Sequence, residues 1–353
     1  MSPGAWMGII RCVDMPRAAR PTPQAVRIRA IDAHVAGAPL RLIVDGFPSL
    51  VGPTVAAKAN VARQKHDALR QAVMLEPRGH IDMSGAVLTV PDGPGADAGV
   101  LFMHASDYGA LCGHGIIAIV TIALEHGLIT LPPDRRHIVL DTAAGRITAR
   151  FERDSGGRVV SVAYTNPPSF VLAAGLRVRA GARDVIIDVA CCAEFYAIVD
   201  AEGAGLPLDA RHAGELRRAG AAIAEAAGTA VRVAHPERPE LSEFAGTIFT
   251  GPANLGDLCS AAVYADGALD RSPGGTPTGA VMAVLDAMGL LSEDHVFTNE
   301  SLIGTTLRGR ITGRTLVGEL PAVVSEIEGA AFVTGEHTFI VDEGDPLKGG
   351  DRI

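Results

Sequence analysis

The sequence predicts an α+β fold built from two similar halves, each with a central buried helix and with a cleft between them. Three observations lead to this prediction. Short apolar segments separated by Pro and Gly turns outnumber the helical segments. Two of the few helical segments are apolar on all sides and follow glycine-rich loops. These two segments also resemble each other at a fixed spacing along the chain.

In the first half, two helices are predicted among short strands. A helix is expected over Thr54–Leu75, because its apolar residues fall roughly on one face, and an apolar helix over residues 113–128. Strands are predicted at Val26–Val35, Arg41–Val44, Ala86–Val90, Val100–His104, His137–Leu140, Arg146–Phe151 and Val159–Tyr164.

The second half repeats this composition. An amphipathic helix is predicted over Ala210–Ala227 and an apolar helix over Thr278–Leu285. Strands are predicted at Val185–Val189, Phe195–Val199, Thr247–Thr250 and Ala261–Ala265. Short strands are expected in the remainder of the chain.

An internal repeat supports the division into halves. Cys112 precedes Gly127 by 15 residues, and Gly274 precedes Gly289 by the same 15 residues. Each unit reads as a glycine-rich loop, an apolar helix and a glycine that ends it. A weaker similarity links residues 83–89 with residues 244–250. Chance similarity between two helices rich in small residues is the alternative explanation.

These patterns suggest four segments. Residues 1–26, rich in Pro, Arg and Ala, are predicted to be an N-terminal extension. Residues 27–165 form the first half, and residues 166–309 form the second. Residues 310–353 supply C-terminal strands and a tail, and about 310–347 are expected to pack back onto the first half.

Composition excludes several classes of protein. The chain has 353 residues, 48% of them hydrophobic, and a net charge of −9, which disfavours binding to nucleic acid or to an anionic membrane. No 18-residue stretch is free of charge, so no membrane span is predicted. Arginines near the N-terminus disfavour a secretory signal, and five cysteines without a framework pattern favour the cytoplasm. No metal or cofactor site is visible in the sequence.

Cys112 stands at the predicted start of the first apolar helix. Unpaired backbone N–H groups and the positive end of the helix dipole favour thiolate over thiol there. His114 can donate a hydrogen bond to the sulfur or to a bound carboxylate. A thiolate beside an anion site suits nucleophilic attack or removal of an amino acid's α-proton. We therefore predict a catalytic Cys112, with an inert core cysteine as the alternative.

The second predicted helix start follows the loop that begins at Asp270. Asp270 is predicted to receive a substrate ammonium group, while the amides of Gly275 and Thr276 take its carboxylate. An ordinary turn that begins at an aspartate is the alternative. His104 has no cysteine or acid at ligand spacing, so a structural role is predicted for it.

Several segments closely resemble the motifs of the proline racemase family. They are Met74–Gly85, His104 with Cys112–Gly115, Phe195–Val199, Asp270–Thr276, and Pro321–Val324 with Glu326. The resemblance runs from about Arg27 to Leu347. The family contains proline racemases, hydroxyproline 2-epimerases and trans-3-hydroxy-L-proline dehydratases. It implies a diaminopimelate-epimerase-like fold with two pseudo-symmetric halves that close over the substrate, in agreement with the repeat.

The resemblance also exposes a departure at the second catalytic position. Racemases and epimerases of the family place thiols on both faces of Cα, and Cys112 matches the first of them. The second position holds Gly274, which also pairs with Cys112 in the internal repeat. Glycine carries no acid, so two-thiol exchange is predicted to fail. Dehydratases of the family keep only the first cysteine, usually with threonine at the second position.

Three further departures surround the pocket. Ala38 and Ser84 stand where the family often has glutamate and an aromatic residue, and Cys191–Ala193 replaces Tyr-Gly-Gly. These smaller side chains predict a wider and wetter pocket.

The preferred interpretation is cofactor-independent dehydration of trans-3-hydroxy-L-proline to Δ1-pyrroline-2-carboxylate. Its predicted site residues are Cys112 as the base, Gly113, His114, Gly275 and Thr276 around the carboxylate, and Asp270 at the ring nitrogen. Water in the space left by Gly274 is the expected source of a proton for the leaving hydroxyl. The alternatives are a slow racemase or hydroxyproline 2-epimerase, and an inactive paralogue that binds an imino acid. A homodimer is common in the family and is possible here.

Overall fold

The computed structural model describes residues 25–351, which form a mixed α/β fold as predicted. Of the predicted extension, residues 1–24 lie outside the described part. The α-helices of this part are α1 (Val55–Lys65), α2 (Asp67–Met74), α3 (Gly113–Glu125), α4 (Ala213–Ala230) and α5 (Gly275–Ala287). A short 3-10 turn over Ala210–His212 leads into α4. None of the helices in residues 25–351 has the length and apolar character needed to cross a membrane.

Every strand predicted from the sequence corresponds to an observed strand, although Val90 and Ala265 lie one residue beyond the observed ends. The observed strands are β1 (Val26–Val35), β2 (Ala38–Asp45), β3 (Ser84–Thr89), β4 (Ala98–His104), β5 (Tyr108–Gly109), β6 (His137–Thr142), β7 (Gly145–Arg153), β8 (Val159–Thr165), β9 (Ser169–Ala180), β10 (Arg183–Cys192), β11 (Glu194–Asp200), β12 (Phe244–Gly251), β13 (Leu258–Tyr264), β14 (Phe297–Glu300), β15 (Thr306–Val317), β16 (Leu320–Gly329) and β17 (Ala331–Val341).

Strand pairing follows the same order twice along the chain. In the first pass β1 and β2 are antiparallel, β2 and β3 parallel, β3 and β4 antiparallel, and β4 and β6 parallel. In the second pass β10 and β11 are antiparallel, β11 and β12 parallel, β12 and β13 antiparallel, and β13 and β14 parallel. Helices occupy equivalent connections, with α1 and α2 matching α4, and α3 matching α5.

The two apolar helices lie inside these strands. Eleven of the 13 residues of α3 are buried, and ten of the 13 residues of α5 are buried. Helix α3 packs against β1, β2, β7, β8 and β17, whereas α5 packs against β9, β10, β11, β15 and β16. Their side chains belong to one continuous apolar core. Burial on every side explains why neither helix shows an amphipathic pattern.

The last strands connect the two strand systems. Strand β16 pairs with β15 along one edge and with β8 and β9 along the other. Strand β17 then pairs with β1 along its whole length. The sequence predicted only short strands here, but β15, β16 and β17 span 10 to 12 residues each. Their many exposed polar positions hid this length from the apolar pattern.

Two other sequence predictions were wrong in detail. The single helix expected over Thr54–Leu75 is broken at His66, whose backbone (φ −132°, ψ 12°) leaves the helical region. Both α1 and α2 pack against β4, and the apolar spacing continues across the break. Strand β9 was missed because much of it is exposed and because Gly175 interrupts it with φ +68°.

Glycines end both central helices in the same way. Gly127 and Gly289 follow the last residues of α3 and α5 with φ of +66° and +71°, in the left-handed region. A methyl group at either position would contact nothing within 4 Å. The need for glycine therefore comes from the backbone conformation alone.

Replacing either glycine with alanine should cost stability without any steric clash. We expect Gly127→Ala and Gly289→Ala each to lower the free energy of unfolding by about 1 kcal/mol. The losses should add in the double variant, because the sites share no partner. Urea unfolding monitored by circular dichroism measures this. Gly93→Ala is the control, since Gly93 is also uncrowded but has no positive φ. Equal stability of all three single variants would contradict the expectation.

Candidate active site

One cavity of about 330 Å³ is lined by residues that the sequence analysis selected. Six predicted residues line it: Cys112, Gly113, His114, Asp270, Gly275 and Thr276. Gly274 is not among the residues that line the cavity, although Arg271 before it and Gly275 after it are. Ala38 and Ser84, two of the departures noted above, also line the cavity.

The first turns of α3 and α5 meet at this cavity through two glycines. A Cβ atom on Gly113 would lie 2.8 Å from the Cα atom of Gly275, so no side chain fits between them. Both glycines also abut the hydroxyl group of Tyr164, which is fully buried and has no hydrogen-bond partner among the described residues. The free N–H groups of two helix starts therefore converge on one small volume.

Cys112 is the N-cap residue of α3 and is 5% exposed. Its Sγ atom lies 3.5 Å from Nε2 and 3.7 Å from Nδ1 of His114. Gly115 makes room for this arrangement, because a Cβ there would lie 3.0 Å from Sγ and 2.7 Å from the ring of Phe102. The Gly-His-Gly sequence thus lets the sulfur lie over the first turn of the helix.

The main charged group beside Cys112 is His114. Burial alone would lower the pKa of His114, but the charge of Cys112 and a hydrogen bond to it reverse this and raise the pKa to about 9. The charge of Asp270 also raises the pKa of His114. The imidazole is therefore positively charged at neutral pH in the folded protein. A positive imidazole stabilises a thiolate at Cys112.

Asp270 is held by the loop that precedes α5. Its Oδ1 atom accepts hydrogen bonds from the backbone N–H and the hydroxyl of Ser272, both at 3.1 Å. The other oxygen, Oδ2, is buried and has no hydrogen-bond partner in residues 25–351. Burial raises the pKa of Asp270, while His114 opposes that shift. An unpartnered carboxylate oxygen at a cavity wall is suited to a cationic ligand.

Gly274, the N-cap residue of α5, has φ +70° and no room for a side chain. A Cβ at this position would lie 2.7 Å from Cγ of Pro277 and 3.1 Å from Oδ2 of Asp270. The nearby hydroxyl of Thr278 cannot act instead, since it donates to the Gly274 carbonyl at 2.5 Å and accepts from Asn299 at 2.9 Å. The place that a side chain at position 274 would take is therefore crowded by the proline ring.

The sequence analysis did not single out Glu194, Tyr196 or the cavity position of His104. His104 lines the cavity, lies 3.3 Å from the Ser84 hydroxyl, and has its pKa lowered to about 4 by burial. The Tyr196 hydroxyl donates to Glu194 at 2.8 Å and lies 3.1 Å from the Thr276 hydroxyl. A charged residue at the start of the mostly apolar strand β11 was the available signal for Glu194.

Comparison with known proteins identifies the family. The proline racemase family profile matches residues 30–352. A trans-3-hydroxy-L-proline dehydratase of Bacillus cereus is 36% identical over 91% of this chain and 96% of its own length. A 3-hydroxyproline 2-epimerase of Burkholderia multivorans is also 36% identical, over 92% of this chain and 97% of its own.

The fold comparison agrees with these sequence matches. The crystal structure of a hydroxyproline epimerase from Agrobacterium vitis, with bound trans-4-hydroxy-L-proline, superposes with a TM-score of 0.84. It is 29% identical, and the match covers 93% of this chain and 95% of that one. Because the family profile and these relatives span nearly the whole chain, this chain belongs to the proline racemase family.

Proposed function

We propose that this protein dehydrates trans-3-hydroxy-L-proline to Δ1-pyrroline-2-carboxylate, with Cys112 as the base that removes the α-proton. The observation that carries the proposal is a cavity that residues 25–351 line with one cysteine, beside a buried imidazole, and with no second thiol. The Cys112 sulfur lies 3.5 Å from the positively charged imidazole of His114 at one helix start, and the N-cap residue at the other start is Gly274. Elimination needs only one proton removed from Cα, whereas two-thiol racemisation needs a second acid.

The cavity offers separate partners for the two charged groups of an imino acid. The free N–H groups at Gly113 and Gly275, with His114 and Thr276 beside them, suit the carboxylate. The unpartnered Oδ2 of Asp270 suits the ring ammonium group. Held at both groups, the ring would present its α-hydrogen to the Cys112 thiolate. The positive imidazole of His114 stabilises the negative charge that develops on the carboxylate side.

The proposal also covers the fold, the cellular location and the oligomeric state of the protein. The repeated strand pairing supports a diaminopimelate-epimerase-like fold with two pseudo-symmetric halves, residues 27–165 and 166–309, around α3 and α5. We infer a cytoplasmic enzyme that acts without a cofactor and that forms a homodimer. Sedimentation of the purified protein tests the dimer.

A hydroxyproline 2-epimerase is the second candidate, because a relative of that name is as similar as the dehydratase. Exchange of the α-hydrogen in heavy water with inversion of configuration would identify it. Binding of an imino acid without any exchange would instead indicate an inactive paralogue.

The Cys112→Ala variant tests the proposed base. We expect the wild-type protein to release the cyclic ketimine from trans-3-hydroxy-L-proline, and the variant to lose about 10³-fold in rate. Product formation is followed by proton NMR. Cys259→Ala is the matched control, because Cys259 is also buried but lies outside the cavity. Unchanged activity of Cys112→Ala, or a wild-type protein inactive on every hydroxyproline isomer, would reject the proposal.

Selective alkylation tests the charge on Cys112. Burial raises the pKa of Cys192 to about 12 and of Cys259 to about 11, and it raises that of Cys191 further. At pH 7, iodoacetamide should therefore modify Cys112 before these three cysteines, as measured by peptide mass spectrometry.

Removing the positive imidazole should weaken this selectivity. We expect His114→Asn to slow modification of Cys112 by about tenfold, because a neutral side chain no longer stabilises the reactive thiolate. The wild-type protein should be modified faster than His114→Asn at pH 7. This difference in rate should disappear as the pH rises through about 9, where His114 loses its proton. Equal rates for wild type and His114→Asn at pH 7 would contradict the charged pair.

Restoring a thiol at position 274 should require a second change. In Gly274→Cys the positive φ and the Pro277 ring oppose the new side chain, so we expect a stability loss of about 2 kcal/mol and no racemisation. Gly274→Cys combined with Pro277→Gly should invert proline or hydroxyproline at a measurable rate by polarimetry. Pro277→Gly alone is the control. Racemisation by Gly274→Cys alone would show that the ring does not obstruct this position.

A further inference from the structure

Glu194 places a carboxyl group in the same cavity, and no role has yet been assigned to it. It lies at the start of β11 and lines the cavity wall together with Thr276 from α5. The preceding residue, Ala193, has φ +60°, so the chain reverses within one residue between Cys192 and Glu194. This tight reversal fixes the direction of the Glu194 side chain.

A hydrogen-bonded chain connects this carboxyl group to the α5 helix start. Glu194 and Tyr196 are two residues apart on β11 and therefore project from the same face. The Tyr196 hydroxyl donates to Oε2 of Glu194 at 2.8 Å, and it lies 3.1 Å from Oγ1 of Thr276. Tyr196 is fully buried. The carboxyl group is thus held rigidly from one side through Oε2.

The surroundings of Glu194 favour a protonated carboxyl group. No lysine, arginine or histidine within residues 25–351 forms an ion pair with it, and its only side-chain hydrogen bond comes from the neutral Tyr196. Burial raises the pKa of Glu194, and the Tyr196 hydrogen bond opposes this only in part. A protonated carboxyl group can donate its proton, which an ion-paired carboxylate cannot do.

The other acidic groups at the cavity are committed elsewhere. Asp82 is ion-paired with Arg217 at 2.7 Å, which keeps it ionised, and Asp107 is ion-paired with Arg63 at 2.9 Å. Asp266 is exposed to solvent, and its Oδ1 atom accepts a hydrogen bond from the backbone N–H of Ala268 at 3.1 Å. Asp270 faces the position proposed for the ring nitrogen. His104 has its pKa lowered to about 4 and is neutral at pH 7. Glu194 is therefore the acidic side chain that both lines the cavity and is favoured to carry a proton.

We propose that Glu194 is the general acid of the dehydration, and that it protonates the 3-hydroxyl group as this group leaves. The inference rests on the proposed function. Cys112 takes the α-proton, the C2–H electron pair forms the C2–C3 double bond, and the C3–O bond breaks. The Glu194 proton joins the departing oxygen as water, and the enamine product tautomerises to Δ1-pyrroline-2-carboxylate. Glu194 then takes up a proton from solvent, and the Cys112 thiol releases its proton to solvent.

The Glu194→Gln variant removes the proton while it keeps the size of the side chain and an oxygen for the Tyr196 hydrogen bond. We expect the rate of trans-3-hydroxy-L-proline dehydration to fall by about 10²-fold or more. Exchange of the α-hydrogen in heavy water should continue, because Cys112 is intact. Glu202→Gln, an exposed residue of the turn after β11, is the matched control and should behave as wild type.

A substrate that needs no acid provides the decisive comparison. Fluoride leaves carbon with less need for protonation, so trans-3-fluoro-L-proline should release fluoride at similar rates from wild type and Glu194→Gln. A fluoride electrode measures this directly. Loss of fluoride release in Glu194→Gln would overturn the inference and indicate a positioning role. Undiminished dehydration by Glu194→Gln would also overturn it, while leaving the proposed function intact. A wild-type protein that neither exchanges the α-hydrogen nor eliminates would remove the proposed function itself.

Discussion

The close approach of two helix starts is the constraint on which the site depends. Gly113 and Gly275 allow α3 and α5 to meet backbone to backbone, and the Tyr164 hydroxyl abuts both of them. Any larger residue at either position would separate the helices and open the cavity. The free N–H groups, the Cys112 thiol and the Asp270 loop all take their positions from this contact. The strand systems around the helices can therefore be regarded as a frame that brings two dipole ends together.

Much of this arrangement could be predicted because it depends on local sequence. The glycine-rich loops, the apolar helices and the glycines that end them are short-range features, and the equal spacing from Cys112 to Gly127 and from Gly274 to Gly289 made the repeat visible. The predicted site residues also line one cavity. Their chemical roles stay predictions until they are tested.

The features that could not be predicted depend on contacts distant in sequence. The break at His66 separates two helices that both pack against β4, although the apolar spacing continues through it. The ring of Pro277 fills the place beside Gly274 only because of the backbone path at that helix start. Glu194 enters the cavity because Ala193 reverses the chain, and Thr276 is 80 residues from its partner Tyr196. No local sequence pattern predicts these contacts between distant residues.

The pairing of β17 with β1 has a consequence for how the chain is made. The strands around α3 include β1 near residue 26 and β17 at Ala331–Val341, so this half is assembled from segments about as far apart as the described chain allows. Strands β9–β16, in contrast, follow one another without interruption and close through β16 onto β9. During synthesis on the ribosome, the later-encoded half can therefore complete its strand ring first. The earlier-encoded half must wait, with the apolar α3 incompletely covered, until β17 has emerged.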